Sequence, residues 1–220
     1  MIGGIQVNEV LKRIEQIGIV PVIALSDTEK AVPLARALIA GGIPCAEVTF
    51  RTVEGEECIR RIAAEVPEIL LGAGTVLSIG QATNAARAGA KFVVSPGFNA
   101  KVVQYCVENG LPIIPGCATP SEMESAMEFG LDTVKFFPAE QAGGLAYIKA
   151  VAAPYTTLRF LPTGGVNINN LKEYMAFPRV MACGGSWMVK KEMVEAGRFE
   201  EIVSLCQKAV KVVKDVRKNV

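Results

Sequence analysis

Eight times along this chain a short apolar run gives way to a stretch with helical spacing, and few folds accept that rhythm. The spacing predicts an opening amphipathic helix over 7–18, closed by Gly18. A strand over Ile19–Leu25 follows, with Ser26-Asp27 as the N-cap of a helix over Glu29–Ala40 that Gly41-Gly42 ends. Strands at Pro44–Arg51, Ile69–Ala73, Lys91–Ser95 and Pro112–Pro115 alternate with helices at about Glu54–Glu65, Ser78–Ala88 and Ala100–Asn109. Thr119-Pro120-Ser121-Glu122 then supplies a cap, a proline at the first helical position and the glutamate of a capping box. That helix ends at Gly130, and the strand carrying Lys135 follows. A helix near Gly143–Ala153, the strand Leu158–Pro162, a shorter helix from Asn169 and the strand Val180–Gly184 complete the alternation, and helical segments close the chain. Strands apolar on both faces and separated by helices read as a parallel sheet covered by helices. Eight equal units fit a closed (β/α)8 barrel better than an open doubly wound sheet. The expectation is an α/β chain, a single-domain TIM barrel over residues 1–220 with an extra N-terminal helix, and no linker divides it.

Composition narrows the chemistry. Half the 220 residues are apolar, a fifth are charged, and the net charge is +1; apart from a short C-terminal end no basic stretch calls for nucleic acid, and there is no anionic tail. The Lys/Arg-rich end, Lys208 to Lys218, carries valines at helical spacing and reads as the solvated face of a terminal helix. No apolar run reaches the roughly 20 residues of a membrane span. The six cysteines, Cys45, Cys58, Cys106, Cys117, Cys183 and Cys206, are scattered without metal-type spacing, and no signal peptide is evident. They read as reduced thiols of a cytoplasmic protein. Histidine is absent altogether. Ser-His-Asp and Cys-His catalysis and histidine-ligated zinc are therefore excluded, and acid–base work falls to Glu, Asp, Lys, Tyr or water.

Lys135 stands out against that background. It lies inside the apolar run Asp132-Thr133-Val134-Lys135-Phe136-Phe137-Pro138-Ala139-Glu140. Lysine is rarely buried unless paired or used, and an amine kept neutral by an apolar wall is a nucleophile towards ketones. A strand-end lysine that snorkels to water is the alternative. On the second strand Glu47, Thr49 and Arg51 share one parity, so all three face the same way. Buried charges there are costly unless paired or used, and a structural Glu–Arg ion pair is the competing reading. Leu71-Gly72-Ala73-Gly74-Thr75 and Ser95-Pro96-Gly97 end the third and fourth strands, where small residues let backbone approach a ligand or merely turn. Pro162-Thr163-Gly164-Gly165-Val166-Asn167 and Cys183-Gly184-Gly185-Ser186 end the seventh and eighth. Glycine pairs at those two neighbouring ends suit a backbone phosphate site, against a reading as ordinary loop glycines.

Together these stretches carry a resemblance. Glu47-Val48-Thr49 with Arg51-Thr52, Gly72-Ala73-Gly74-Thr75, Ser95-Pro96-Gly97, Ile114-Pro115-Gly116, the Lys135 motif, Pro162-Thr163-Gly164-Gly165 and Gly184-Gly185-Ser186-Trp187 stand in family order and spacing. From about residue 18 to 196 the chain closely resembles the 2-keto-3-deoxy-6-phosphogluconate (KDPG) aldolase / 4-hydroxy-2-oxoglutarate (KHG) aldolase family. The resemblance implies a class I aldolase on a (β/α)8 barrel, a homotrimer, needing no metal or cofactor and acting on a small 2-keto acid phosphate. It implies Lys135 as the Schiff-base lysine and Glu47 as general acid/base. Arg51 and Thr75 would hold the substrate carboxylate, and Pro96 and Phe137 would line the pyruvate pocket. Thr163 would meet the aldehyde portion, and Gly164, Gly165, Gly185 and Ser186 would bind phosphate. Departures such as Ala46, Phe50, Ala118-Thr119-Pro120 and Cys183 touch none of these residues. Two rivals remain open: a phosphate-binding barrel epimerase or synthase in which Lys135 is only an electrostatic group, and a non-catalytic barrel that binds a sugar-acid phosphate. Within the aldolase reading, the galactonate epimer of the substrate is the alternative to the gluconate.

Overall fold

The computed structural model describes residues 4–218, with side chains from Glu9 onward. Helix α1 (Gly4–Ile17) precedes strand β1 (Ile19–Ile23), and Gly18 turns the chain between them at φ 77°. Seven further strands follow: β2 (Cys45–Thr49), β3 (Leu70–Gly74), β4 (Phe92–Val94), β5 (Ile113–Ile114), β6 (Thr133–Phe136), β7 (Arg159–Pro162) and β8 (Cys183–Gly185). The helices between them are α2 (Ala31–Ala40), α3 (Gly55–Glu65), α4 (Ile79–Ala88), α5 (Ala100–Glu108), α6 (Pro120–Glu128), α7 (Gly144–Ala152) and α8 (Leu171–Met175). Helices α9 (Lys191–Glu195) and α10 (Phe199–Arg217) end the chain.

All strand pairs are parallel. Six strands form one sheet in the order β5-β4-β3-β2-β1-β8, and β6 pairs with β7. Bridges at Gly116–Lys135 and Thr163–Gly184 join the two sheets and close the barrel. The expected alternation is present throughout; β1, β2, β4 and β5 are two or three residues shorter than the apolar runs suggested, β7 is one residue shorter, and β3 keeps its length, shifted by one position. The eighth differs most. Val180 bridges only to Phe160, and the ladder with β1 begins at Cys183, where Ile19 pairs with it.

Local chemistry fixes the helix starts. Asp27 accepts from the Glu29 N–H at 2.9 Å and caps a 3-10 turn before α2. Ser78 caps α4, and Asn99 caps α5. At α6 the predicted capping box is complete: the Glu122 N–H donates to the Thr119 hydroxyl and the Thr119 N–H donates to Glu122 Oε2. Burial raises the carboxyl pKa of Glu122, but the donors from Ala118 and Thr119 outweigh it and hold the group below its usual range. Strand parity divides the core. On β6, Phe136 stacks on Tyr147 of α7 with ring centroids 5.4 Å apart, and its neighbour Lys135 takes the opposite, inward face. All six cysteines are buried and free.

Candidate active site

Strands β2 and β6 stand opposite each other around an eight-stranded ring, so inward side chains from the two meet across the interior. Glu47 and Lys135 do so: Lys135 Nζ donates to Glu47 Oε1 at 3.3 Å. Glu47 is fully buried and Lys135 is 5 % exposed. The snorkelling alternative for Lys135 is thereby removed. Among the described residues Glu47 pairs with Lys135 and not with Arg51, which also removes the Glu–Arg alternative. Space for the glutamate comes from β3, because a Cβ on Gly74 would lie 2.2 Å from Glu47 Oε1. Glu47 Oε2 is buried without a hydrogen-bond partner among the described residues. Leaving such an acceptor unmet costs about 1–3 kcal/mol, which is tolerated where the atom has a task. A proton can pass between amine and carboxylate along the existing contact, while Oε2 stays available to a reacting group.

Around this pair the strand ends supply the walls. The Phe137 ring lies 5.4 Å from Lys135 Nζ and is 38 % exposed, so it forms a rim. Pro96 is half-buried, and its carbonyl sits where a Cβ on Gly116 would be. Arg51 lies just past β2 and is exposed; its Nε donates to Thr49 Oγ1 at 3.2 Å. The Thr49 hydroxyl in turn donates to the Ile23 carbonyl at 2.9 Å, and the Thr52 hydroxyl donates to the Leu25 carbonyl. Arg51 is thus held by Thr49, which is tied to the end of β1, and among the described residues its two terminal nitrogens have no hydrogen-bond partner. Thr75 is the one non-glycine residue with positive φ among the described residues, at 56°. A β-branched side chain there is strained, and such strain gathers at working sites. Among the described residues neither Arg51 nor Thr75 forms a hydrogen bond or ion pair with Lys135 or Glu47.

The ends of β7 and β8 lie side by side. Gly164 and Gly165 have φ 101° and 82°, the left-handed region that favours glycine. The loop after β6 backs this turn: the Ala139 N–H donates to the Thr163 carbonyl at 2.8 Å and the Glu140 N–H to the Gly164 carbonyl at 3.0 Å. Thr163 is buried, in room left by Gly184, where a Cβ would lie 2.2 Å from its Oγ1. Gly185 is buried against Trp187, and Ser186 is exposed beside it. Behind the turn the buried Tyr174 hydroxyl donates to Glu140 Oε1. Burial first, and then Glu140, push the Tyr174 phenol up, so it remains a donor. Cysteine chemistry has no footing here. Even Cys117, whose N–H donates to the Lys135 carbonyl, has its thiol pushed up to about 12 by burial and by Glu122.

A family model for KDPG and KHG aldolases matches residues 8–205. The chain belongs to that family. It is 54 % identical to 2-dehydro-3-deoxy-phosphogluconate aldolase of Treponema pallidum (strain Nichols), over 93 % of this chain and 97 % of the relative. It is 44 % identical to KHG/KDPG aldolase of Escherichia coli (strain K12), over 87 % of this chain and 90 % of the relative. Among solved structures it is similar to KDPG aldolase from Legionella pneumophila, captured at low pH with pyruvate as a covalent carbinolamine intermediate. There the TM-score is 0.88 and the identity 36 %, covering 90 % of this chain and 97 % of that one.

For an aldolase of this family, the structure brings Lys135, Glu47 and Phe137 together. It gathers Gly164, Gly165, Gly185 and Ser186 at a second point of the same mouth. Four contributors went unassigned in the sequence. Thr49 holds Arg51, Gly74 makes room for Glu47, Glu140 backs the glycine turn, and Tyr174 holds Glu140. Strand parity, the glycine run before Thr75 and the last residue of the lysine motif marked three of these positions. Nothing in the local pattern marked Tyr174, which reaches Glu140 from α8. Among the described residues no group of three or more His, Cys, Asp or Glu is placed to hold a metal, and no helix is long and apolar enough to cross a membrane.

Proposed function

We propose that the chain is a class I, Schiff-base aldolase that cleaves 2-dehydro-3-deoxy-6-phosphogluconate to pyruvate and glyceraldehyde 3-phosphate. It would cleave 4-hydroxy-2-oxoglutarate to pyruvate and glyoxylate as a second substrate. The observation that carries this is the buried 3.3 Å contact of Lys135 with Glu47. Desolvated ion pairs stabilise folds poorly against apolar replacements, so their presence at a barrel mouth favours use over support.

The mechanism follows from the pair. Glu47 takes a proton from the Lys135 ammonium, and the freed amine attacks the C2 ketone. The carbinolamine takes that proton back on its hydroxyl and loses water, giving a protonated imine. This cation accepts the C3–C4 electron pair as Glu47 removes the C4 hydroxyl proton, so the aldehyde leaves and an enamine remains. Glu47 then returns the proton to C3, and water hydrolyses the pyruvate imine. A positioned carboxyl group contributes about 10²–10⁴-fold to such transfers. Arg51 fits the substrate carboxylate, because its remaining nitrogens form a planar fork, and Thr75 flanks the same end. Pro96 and Phe137 close over the pyruvate portion, and Thr163 lies towards the aldehyde. The glycine turns with Ser186 take the phosphate through backbone N–H groups and a hydroxyl.

The same reading makes residues 1–220 one catalytic domain, working in the cytoplasm as a homotrimer. Sedimentation at three times the chain mass is the expected result for that assembly. A coupled pyruvate-release assay across the gluconate substrate, its galactonate epimer and 4-hydroxy-2-oxoglutarate tests the substrate. Fastest turnover of the gluconate phosphate is expected, and faster turnover of the galactonate would reassign the enzyme. Pyruvate from none of the three would leave a binding protein.

A further inference from the structure

The Gly165 carbonyl accepts two side-chain hydrogen bonds, from Asn167 Nδ2 at 2.9 Å and from Asn170 Nδ2 at 3.2 Å. Gly165 is exposed, so water could serve that carbonyl as well. Both carboxamides are also fixed at their oxygens. Asn170 Oδ1 accepts from the Asn167 N–H at 2.8 Å, and Asn167 Oδ1 accepts from the Asn169 N–H at 3.0 Å. Each side chain therefore spends its oxygen on backbone and its nitrogen on one shared carbonyl, and neither can flip without losing both bonds.

The consequence follows from peptide geometry. In a trans peptide the C=O and the following N–H point to opposite sides. Drawing the Gly165 carbonyl towards the asparagines turns the Val166 N–H away from them. Among the described residues nothing accepts from the Gly165 or Val166 N–H. On the far side, Glu140 fills the space a Gly165 Cβ would need, with its Cγ 2.4 Å from that point, and Tyr174 holds Glu140. Two successive glycines would otherwise roam widely.

We propose that Asn167 and Asn170 are positioning residues that set the preference for a phosphorylated over an unphosphorylated 2-keto acid. They do so by locking the Gly165–Val166 peptide before the anion arrives. This rests on the aldolase reading and on the glycine turn as its phosphate site. Preorganised donors bind an anion better than donors that must first be ordered.

Kinetics of the full chain on KDPG and on 4-hydroxy-2-oxoglutarate test it, with Asn167→Ala, Asn170→Ala, the double variant and Asn167→Ser. Each alanine variant should raise KM for KDPG about threefold and the double about tenfold, the scale of one or two neutral hydrogen bonds. The kcat on KDPG and both constants on 4-hydroxy-2-oxoglutarate should stay unchanged. Asn167→Ser keeps an oxygen for the Asn169 N–H and replaces the carboxamide by a shorter hydroxyl with a single proton, so it should raise KM for KDPG in the direction of Asn167→Ala. Wild-type behaviour of Asn167→Ser, an unchanged KM for KDPG in the double variant, or an equal loss on both substrates would overturn the clamp. Should the double variant fail to fold, the single variants decide. A wild-type protein with no preference for the phosphorylated substrate would instead overturn the phosphate reading itself.

Discussion

Where β2 faces β6, the atoms available for reaction belong to side chains; where β7 and β8 end, the atoms available for binding belong to the backbone. Lys135 and Glu47 are buried, charged and paired across the barrel. Gly164, Gly165 and Ser186 lie at the edge, half-buried or exposed, and a set of polar side chains holds the turn from behind. The contrast is chemical. Proton transfer to carbon and imine formation need groups whose charge changes, and a dry interior makes each change count. Phosphate keeps its charge throughout, so fixed N–H dipoles serve it without titrating.

The comparison breaks most readily on the side-chain half. Glu47→Gln keeps the shape and removes the proton carrier, so kcat should fall by about 10²–10⁴-fold on every substrate, phosphorylated or not. Imine formation with pyruvate should survive, more slowly, in a borohydride-trapping time course. Unchanged turnover would remove Glu47 from the chemistry.

On the backbone half, Gly165→Ala should act smaller and more selectively. A side chain at φ 82° is strained, and its Cβ would sit 2.4 Å from Glu140 Cγ. The left-handed conformation alone costs about 1–2 kcal/mol. KM for KDPG should rise about tenfold or more, since that cost becomes an affinity loss on this scale. Turnover of 4-hydroxy-2-oxoglutarate should hardly move, and an equal loss on both substrates would erase the division between the halves.

Tyr174→Phe should do least. It removes one hydrogen bond to Glu140, so thermal unfolding should report a loss of about 1 kcal/mol and KM for KDPG should rise a few-fold. A fall in kcat as large as that of Glu47→Gln would make Tyr174 part of the chemistry.

How legible this was in the sequence follows the same division. Strand parity put Glu47 and Thr49 on one face, and the odd lysine in an apolar run announced itself. Both signals are local, and the structure keeps them. What parity could not give is the partner, since Glu47 and Lys135 meet only once eight strands close into a ring. The capping box at Thr119 and the stop at Gly18 were equally readable, because each is settled within a few residues. Tyr174 and Glu140 are 34 positions apart and carry no local pattern, so only the fold reveals their bond. The ladder of the eighth strand begins later than its apolar run, because pairing with β1 and not hydrophobicity decides where it starts.

One measurement bears directly on the buried pair. Incubating the protein with pyruvate, reducing with borohydride and mapping the peptides by mass spectrometry should place one reduced pyruvate adduct on Lys135. An adduct on another lysine, or none while pyruvate is still released from KDPG, would contradict the account.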